Sequence, residues 1–155
     1  MTARLSIAAV VGAMLLCGCA PKLRVMVPEG WKVTQDVSEG TARAMVLANE
    51  ATGVSIQVVS DKADESTLPM LAAQTLSLVA QIEGQVTELA IADDESSLRI
   101  SFVAEREGLG VLHGRIVAKL VKKNMAVATT GVWKDDQDKV ISPVFDQIAA
   151  SADFR

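Results

Sequence analysis

A chain of 155 residues, half of them hydrophobic, is long enough to bury a core and fits one domain of ordinary size. Its 15 basic and 19 acidic residues give a net charge of −4, and aromatic side chains make up 3%, with no tyrosine. A mildly acidic chain poor in rings argues against nucleic-acid binding, which needs clustered Lys and Arg against phosphates and aromatic faces for the bases.

The N-terminal stretch has the layout of a secretory leader. Arg4 supplies a minimal positive start, Leu5 to Leu16 carry no charge, and Gly18 is a small residue before Cys19. This apolar run is shorter than the roughly 20 residues of a membrane-spanning helix. Leu16-Cys17-Gly18-Cys19 resembles the bacterial lipoprotein box Leu-x-Gly-Cys. The resemblance implies diacylglycerol on the Cys19 thiol, cleavage after Gly18 and fatty acylation of the new terminus. Cys17, at the variable position, leaves with the leader. A retained signal anchor and a soluble secreted protein cut elsewhere are the alternatives. A single acyl chain binds membranes only marginally, whereas two or three, at about 0.8 kcal/mol per buried methylene, anchor stably.

The expected organisation is a leader over 1–18, the acylated cysteine and a short tether over 19–22, and a single globular domain over 23–155. The mature domain then has no free thiol, no disulfide and no Cys-ligated metal, and no cofactor is expected. Ala20, Pro21 and Lys22 span on the order of 10 Å, which holds the domain close to the headgroups. Ala20 follows the cysteine where Asp does not, so in a Gram-negative host the expected address is the outer membrane, facing the periplasm.

In the domain, Leu23 to Val27 alternate as a first extended segment, broken at Pro28-Glu29-Gly30, and Trp31 to Thr34 begin a second. Ser38-Glu39-Gly40 is a turn into a strand over Thr41 to Asn49, and Glu50-Ala51-Thr52-Gly53 leads into Val54 to Ser60, where Val54, Ile56 and Val58 alternate. The period then changes. Leu68, Leu71, Ala72, Thr75, Leu78, Val79 and Ile82 form a helical stripe over 66–83, with Ser66 as N-cap and Gly84 as C-cap. Strands resume at Val86 to Ile91, Ser97 to Glu105, Val111 to Val121 and Met125 to Trp133, with hairpin turns at Glu107 to Gly110 and Lys122-Lys123-Asn124. Ser142-Pro143 reads as a cap and proline start for a closing helix to about Ser151. The expected fold class is α+β: a mainly antiparallel β-sheet with one long and one shorter helix packed on it.

Val27-Pro28-Glu29-Gly30-Trp31, the hairpin from Asn49 to Ile56, the helix at 66–83, the later meander and the segment Phe145 to Phe154 together resemble the PsbP-like family, including the DcrB lipoproteins. The resemblance covers almost all of residues 23–155. It implies an α/β/α sandwich that serves as a binding or assembly module rather than an enzyme, and it assigns no functional residue.

The candidate sites are few. His113 is the chain's one histidine, and no Gly-x-Ser-x-Gly elbow accompanies it, so a surface strand position is favoured over catalysis. Arg115, Lys119, Lys122 and Lys123 could form a basic contact stripe for an anionic partner or headgroups; a solvated face is the plainer reading. Asp135-Asp136-Gln137-Asp138 and Asp93-Asp94-Glu95 read as acidic turns, because the first lacks the Gly and Glu that an EF-hand loop requires. Trp31 and Trp133 read as core packing. These features suggest a lipid-anchored envelope protein, bound to the membrane through its anchor and to another envelope protein through a sheet or loop face, and without enzymatic activity. A small-ligand-binding lipoprotein and a hydrolase using Ser and His113 are the alternatives.

Overall fold

The computed structural model describes residues 22–64, 67–70, 73, 77, 85–93, 96–122 and 124–154. The lipoprotein box Leu16, Cys17, Gly18 and Cys19 lies outside the described residues, as do Lys123, the Asp94-Glu95 pair, and the Ser66 and Gly84 caps with most of the helix expected between them.

Seven strands form one sheet in the order β2-β3-β4-β8-β7-β6-β5, with every neighbouring pair antiparallel. The strands are β2 (Lys32–Glu39), β3 (Ala42–Asn49), β4 (Val54–Lys62), β5 (Gln85–Asp93), β6 (Ser97–Arg106), β7 (Gly110–Lys122) and β8 (Met125–Lys134). Two meanders are thus joined where β4 pairs with β8, in the register Ile56↔Gly131 and Val58↔Thr129. A separate two-stranded ribbon pairs β1 (Leu23–Arg24) with β9 (Asp153–Phe154). The turns at Pro28 to Gly30, Glu50 to Gly53 and Glu107 to Leu109 lie where the sequence places them. Gly30, at φ +79°, takes a conformation that side chains resist, and it closes the Pro28-to-Trp31 turn with a Trp31 N–H to Pro28 carbonyl bond of 3.1 Å.

The closing helix, α1 (Asp138–Ser151), buries Ile141, Phe145, Ile148 and Ala149. These positions recur at helical spacing and lie on the sheet face built by Met45, Leu47, Ile56, Val58, Val127 and Trp133. Each fully buried large side chain contributes about 1.5–3 kcal/mol. The opposite face of the sheet carries Leu98, Ile100, Phe102 and Ala104 from β6, and Leu68, in the helical residues Thr67–Met70, packs against Leu98, Ile100 and Ala118. Helical residues therefore pack on both faces, α1 on one and Leu68 on the other, and the α+β class expected from the sequence is the one observed.

Two local expectations are corrected. The first extended segment is only two residues long and pairs with β9, because the Met26 N–H beyond it is taken by the Ser151 hydroxyl at 2.9 Å. Helix α1 begins at Asp138, ahead of Ser142-Pro143, and Pro143 lies inside it. A proline there removes one backbone bond. Contacts at the helix start offset that loss. Asp135–Gln137 form a 3-10 turn, the Gln137 amide donates to the Thr52 carbonyl at 2.8 Å, and the Trp133 indole N–H donates to Asp138 at 2.9 Å.

At the β2 edge, Arg43 grips Asp36 with two bonds, Nε to Oδ1 at 2.8 Å and Nη2 to Oδ2 at 2.6 Å. The hydrogen bonds from Arg43 hold the Asp36 carboxyl below the ordinary carboxylate range. The unfolded chain therefore binds more protons at acid pH than the native one. The pair's contribution is present above the ordinary carboxylate pKa and is lost as pH falls through the lowered value. Asp36→Asn is expected to flatten the acid limb of the stability–pH curve by less than about 1 kcal/mol, as befits a partly exposed pair; urea midpoints at pH 3 and pH 7 read this.

Ser60 is 1% exposed and its hydroxyl has no hydrogen-bond partner among the described residues. It stands opposite Val127 on the face that α1 covers. Removing an unsatisfied buried polar atom relieves its desolvation cost, so Ser60→Ala is expected to leave stability unchanged or raise it by up to about 1 kcal/mol. A lower urea midpoint would contradict this.

Candidate functional site

Helix α1 lies over β3, β4, β8 and β7 but leaves the same face of β6 and β5 uncovered. Cross-strand register explains what lines this open face. Ala90, Ser101 and Arg115 form one row across β5, β6 and β7, and Ala92, Arg99 and Val117 form the next. Alanines at the edge and larger side chains beside the helix make a groove of about 290 Å³, with Asp146 of α1 as part of its wall. The Arg99 guanidinium has no ion-pair partner among the described residues.

The residues of the expected basic stripe separate. Arg115 and Lys119 do share the α1 face of β7, as alternation requires, but both are engaged with the helix. Arg115 Nη1 reaches Asp146 at 3.2 Å, and the guanidinium lies 5.9 Å from the Trp133 ring centre. Lys119 Nζ donates to the Ala150 carbonyl at 2.9 Å, near the helix C-terminus where the dipole favours a cation. Partial burial pushes the Lys119 pKa down, and Asp153 opposes that shift. Lys122 ends β7, and Lys123 lies beyond the described residues.

His113 is half-buried at the other end of the face. Its Nε2 is 2.7 Å from Asp135 and its Nδ1 is 3.8 Å from Asp138. The acidic run is therefore the polar start of α1, joined to strand β7 through this imidazole and to β8 through Trp133. Both ring nitrogens face carboxylates, and among the described residues neither bonds to a Ser or Thr hydroxyl. Trp31 and Trp133 are core residues, 6% and 2% exposed.

The sequence reading missed Arg99, Ser101 and Asp146. Alternation along β6 would have placed Arg99 and Ser101 opposite the Leu98, Ile100 and Phe102 face. Nothing local ties Asp146 to Arg115, 31 residues away.

No family model matches the chain, and no curated protein matches its sequence. Among solved structures, the chain is similar to LpqN of Mycobacterium tuberculosis, described as involved in cell envelope biogenesis. The TM-score is 0.56 at 14% identity, covering 87% of this chain and 84% of that one. The cyanobacterial PsbP (CyanoP) of Synechocystis sp. PCC 6803 aligns with a TM-score of 0.46 at 11% identity, over 94% of this chain and 99% of that one. At such identities the likeness to LpqN is one of fold.

Proposed function

We propose that this chain is a lipid-anchored cell-envelope protein, tethered through Cys19, that works as a non-enzymatic binding or assembly module. The observation that supports it most is the open groove beside α1, a sheet face of β5 and β6 that the helix leaves bare. LpqN, whose fold this chain shares, is tied to cell envelope biogenesis by its description, and the box at Leu16 to Cys19 fits an envelope address. In a Gram-negative host the address is the periplasmic face of the outer membrane.

The partner is another envelope component. Small-molecule sites bury most of their ligand in pockets of about 300–1,000 Å³. This groove is at the lower limit, and the helix–sheet interface beside it is filled by Phe145 and its neighbours, which favours a macromolecular contact. The pairing of His113 with Asp135 and Asp138 gives that imidazole a structural task, so activity of the whole protein is expected to survive His113→Ala.

A photo-crosslinking residue at Ser101, introduced into the full-length chain in intact cells, tests the groove. The expected result is a reproducible adduct with another envelope component that is missing when the same residue replaces Gln57 on the opposite face of the sheet. Equal adducts at both positions, or none at Ser101, would contradict the proposal.

A further inference from the structure

Sheet edges are normally blunted against pairing, by charges, prolines, bulges or a covering element. β2 is defended in this way: it carries Lys32, Asp36 and Glu39, and its register slips between Val33 and Gln35. β5, the other edge, is different. Its slip lies near the start, between Val86 and Glu88, and the four residues Leu89-Ala90-Ile91-Ala92 that follow are uncharged. Leu89 and Ile91 are 47% and 46% exposed on one face, and Ala90 and Ala92 are exposed on the other.

We infer that β5 is a self-association edge, and that two copies of this chain join β5 to β5 antiparallel about a two-fold axis at Ala90. The register follows from side-chain pattern and charge. With Ala90 opposite Ala90 of the second copy, Leu89 meets Ile91 in both directions, so the two exposed apolar pairs cover each other on one face. On the other face Glu88 stands opposite Ala92 of the second copy. Ala92 is itself the cross-strand neighbour of Arg99. An extended arginine reaches across one alanine, so Arg99 of each copy, without an ion-pair partner among the described residues, meets Glu88 of the other, and the contact forms twice by symmetry. Moving the axis to Ile91 sets Leu89 against Asp93, and moving it to Leu89 sets Glu88 against Ala90, out of reach of Arg99. Only the Ala90 register satisfies both faces. This pairing does not depend on the groove having a foreign partner.

The test uses the full-length chain in its native membrane. Ala90→Cys, followed by mild oxidation, is expected to give a covalent dimer in which mass spectrometry finds position 90 joined to position 90. Ala92→Cys, two residues along on the same exposed face, is expected to give at least tenfold less, and co-expressed Glu88→Cys and Ala92→Cys chains are expected to link to each other. In detergent, Glu88→Arg is expected to weaken the dimer at least tenfold, and adding Arg99→Glu to restore it. A monomeric parental chain, equal linking at positions 90 and 92, or a position-90 adduct with a different protein would each overturn the inference. Photo-adducts at Ser101 read the groove separately, so either idea can fail alone.

Discussion

Replacing Phe145 with alanine is expected to remove about 3–5 kcal/mol of stability, more than any other single truncation in α1. Phe145 is fully buried at the centre of the main core. Its ring is 5.6 Å from that of Trp133, at 46°, a tilted contact that adds to the burial. Below it the sheet has no side chain. Gly131 occupies the middle of β8, and a Cβ there would lie 3.1 Å from Phe145 and 3.3 Å from Ile56. The ring therefore fills space that no neighbour can refill. Phe145→Ala leaves a cavity, while Phe145→Leu keeps part of the volume and is expected to cost about half as much. Urea unfolding of both variants checks this. A loss below about 1 kcal/mol for the alanine variant would show that α1 does not hold the core.

The second large effect is expected at Gly114. It pairs with Phe102 across β7 and β6, and the Phe102 ring lies directly over it, so that a Cβ at position 114 would overlap the ring. Phe102 is buried beside Ala104, Val86 and Val132 on the face opposite α1 and has little room to move. Gly114→Val is expected to lose about 1–3 kcal/mol, the usual cost of overpacking, although valine favours strands. The two positions are coupled. Gly114→Val combined with Phe102→Ala is expected to cost less than the sum of the single changes, because the added methyls enter the space the ring leaves. Strict additivity would show that the overlap relaxes elsewhere.

Most of the fold is legible along the chain because antiparallel strands announce themselves locally. Leu98, Ile100, Phe102 and Ala104 alternate, and glycines mark the turns on either side of β3 and before β7. The helix start was harder to place. Ser142-Pro143 carries a strong local start signal, but His113 and Thr52, both distant in sequence, and the nearby Trp133 hold the chain helical from Asp138. The open groove was illegible for a related reason. Which strands α1 covers depends on strand order, and β4 joining β8 leaves β5 and β6 at the far edge. Arg115 and Lys119 read as a basic stripe because alternation places them on one face; that the face turns under a helix is tertiary information.

The start of the described chain and the groove are placed by the same helix. Strand β1 pairs with β9, where Leu23 and Phe154 enter the core beside the end of α1. His113 and its carboxylates lie at the other end, about 21 Å along a helix of 14 residues. A lipid on Cys19 would thus draw the Lys119 end toward the bilayer and hold the His113 end away from it. Met26 and Val27, both exposed, follow β1 at this end of the fold.

The intact mass and N-terminal peptide of the full chain, extracted from the membranes of cells that make it, test the anchored-module proposal most directly. The expected species begins at Cys19, carries diacylglycerol and fatty acyl groups, and partitions into detergent. A chain that begins upstream of Cys19, or one that is recovered in the aqueous phase with an unmodified thiol, would contradict it.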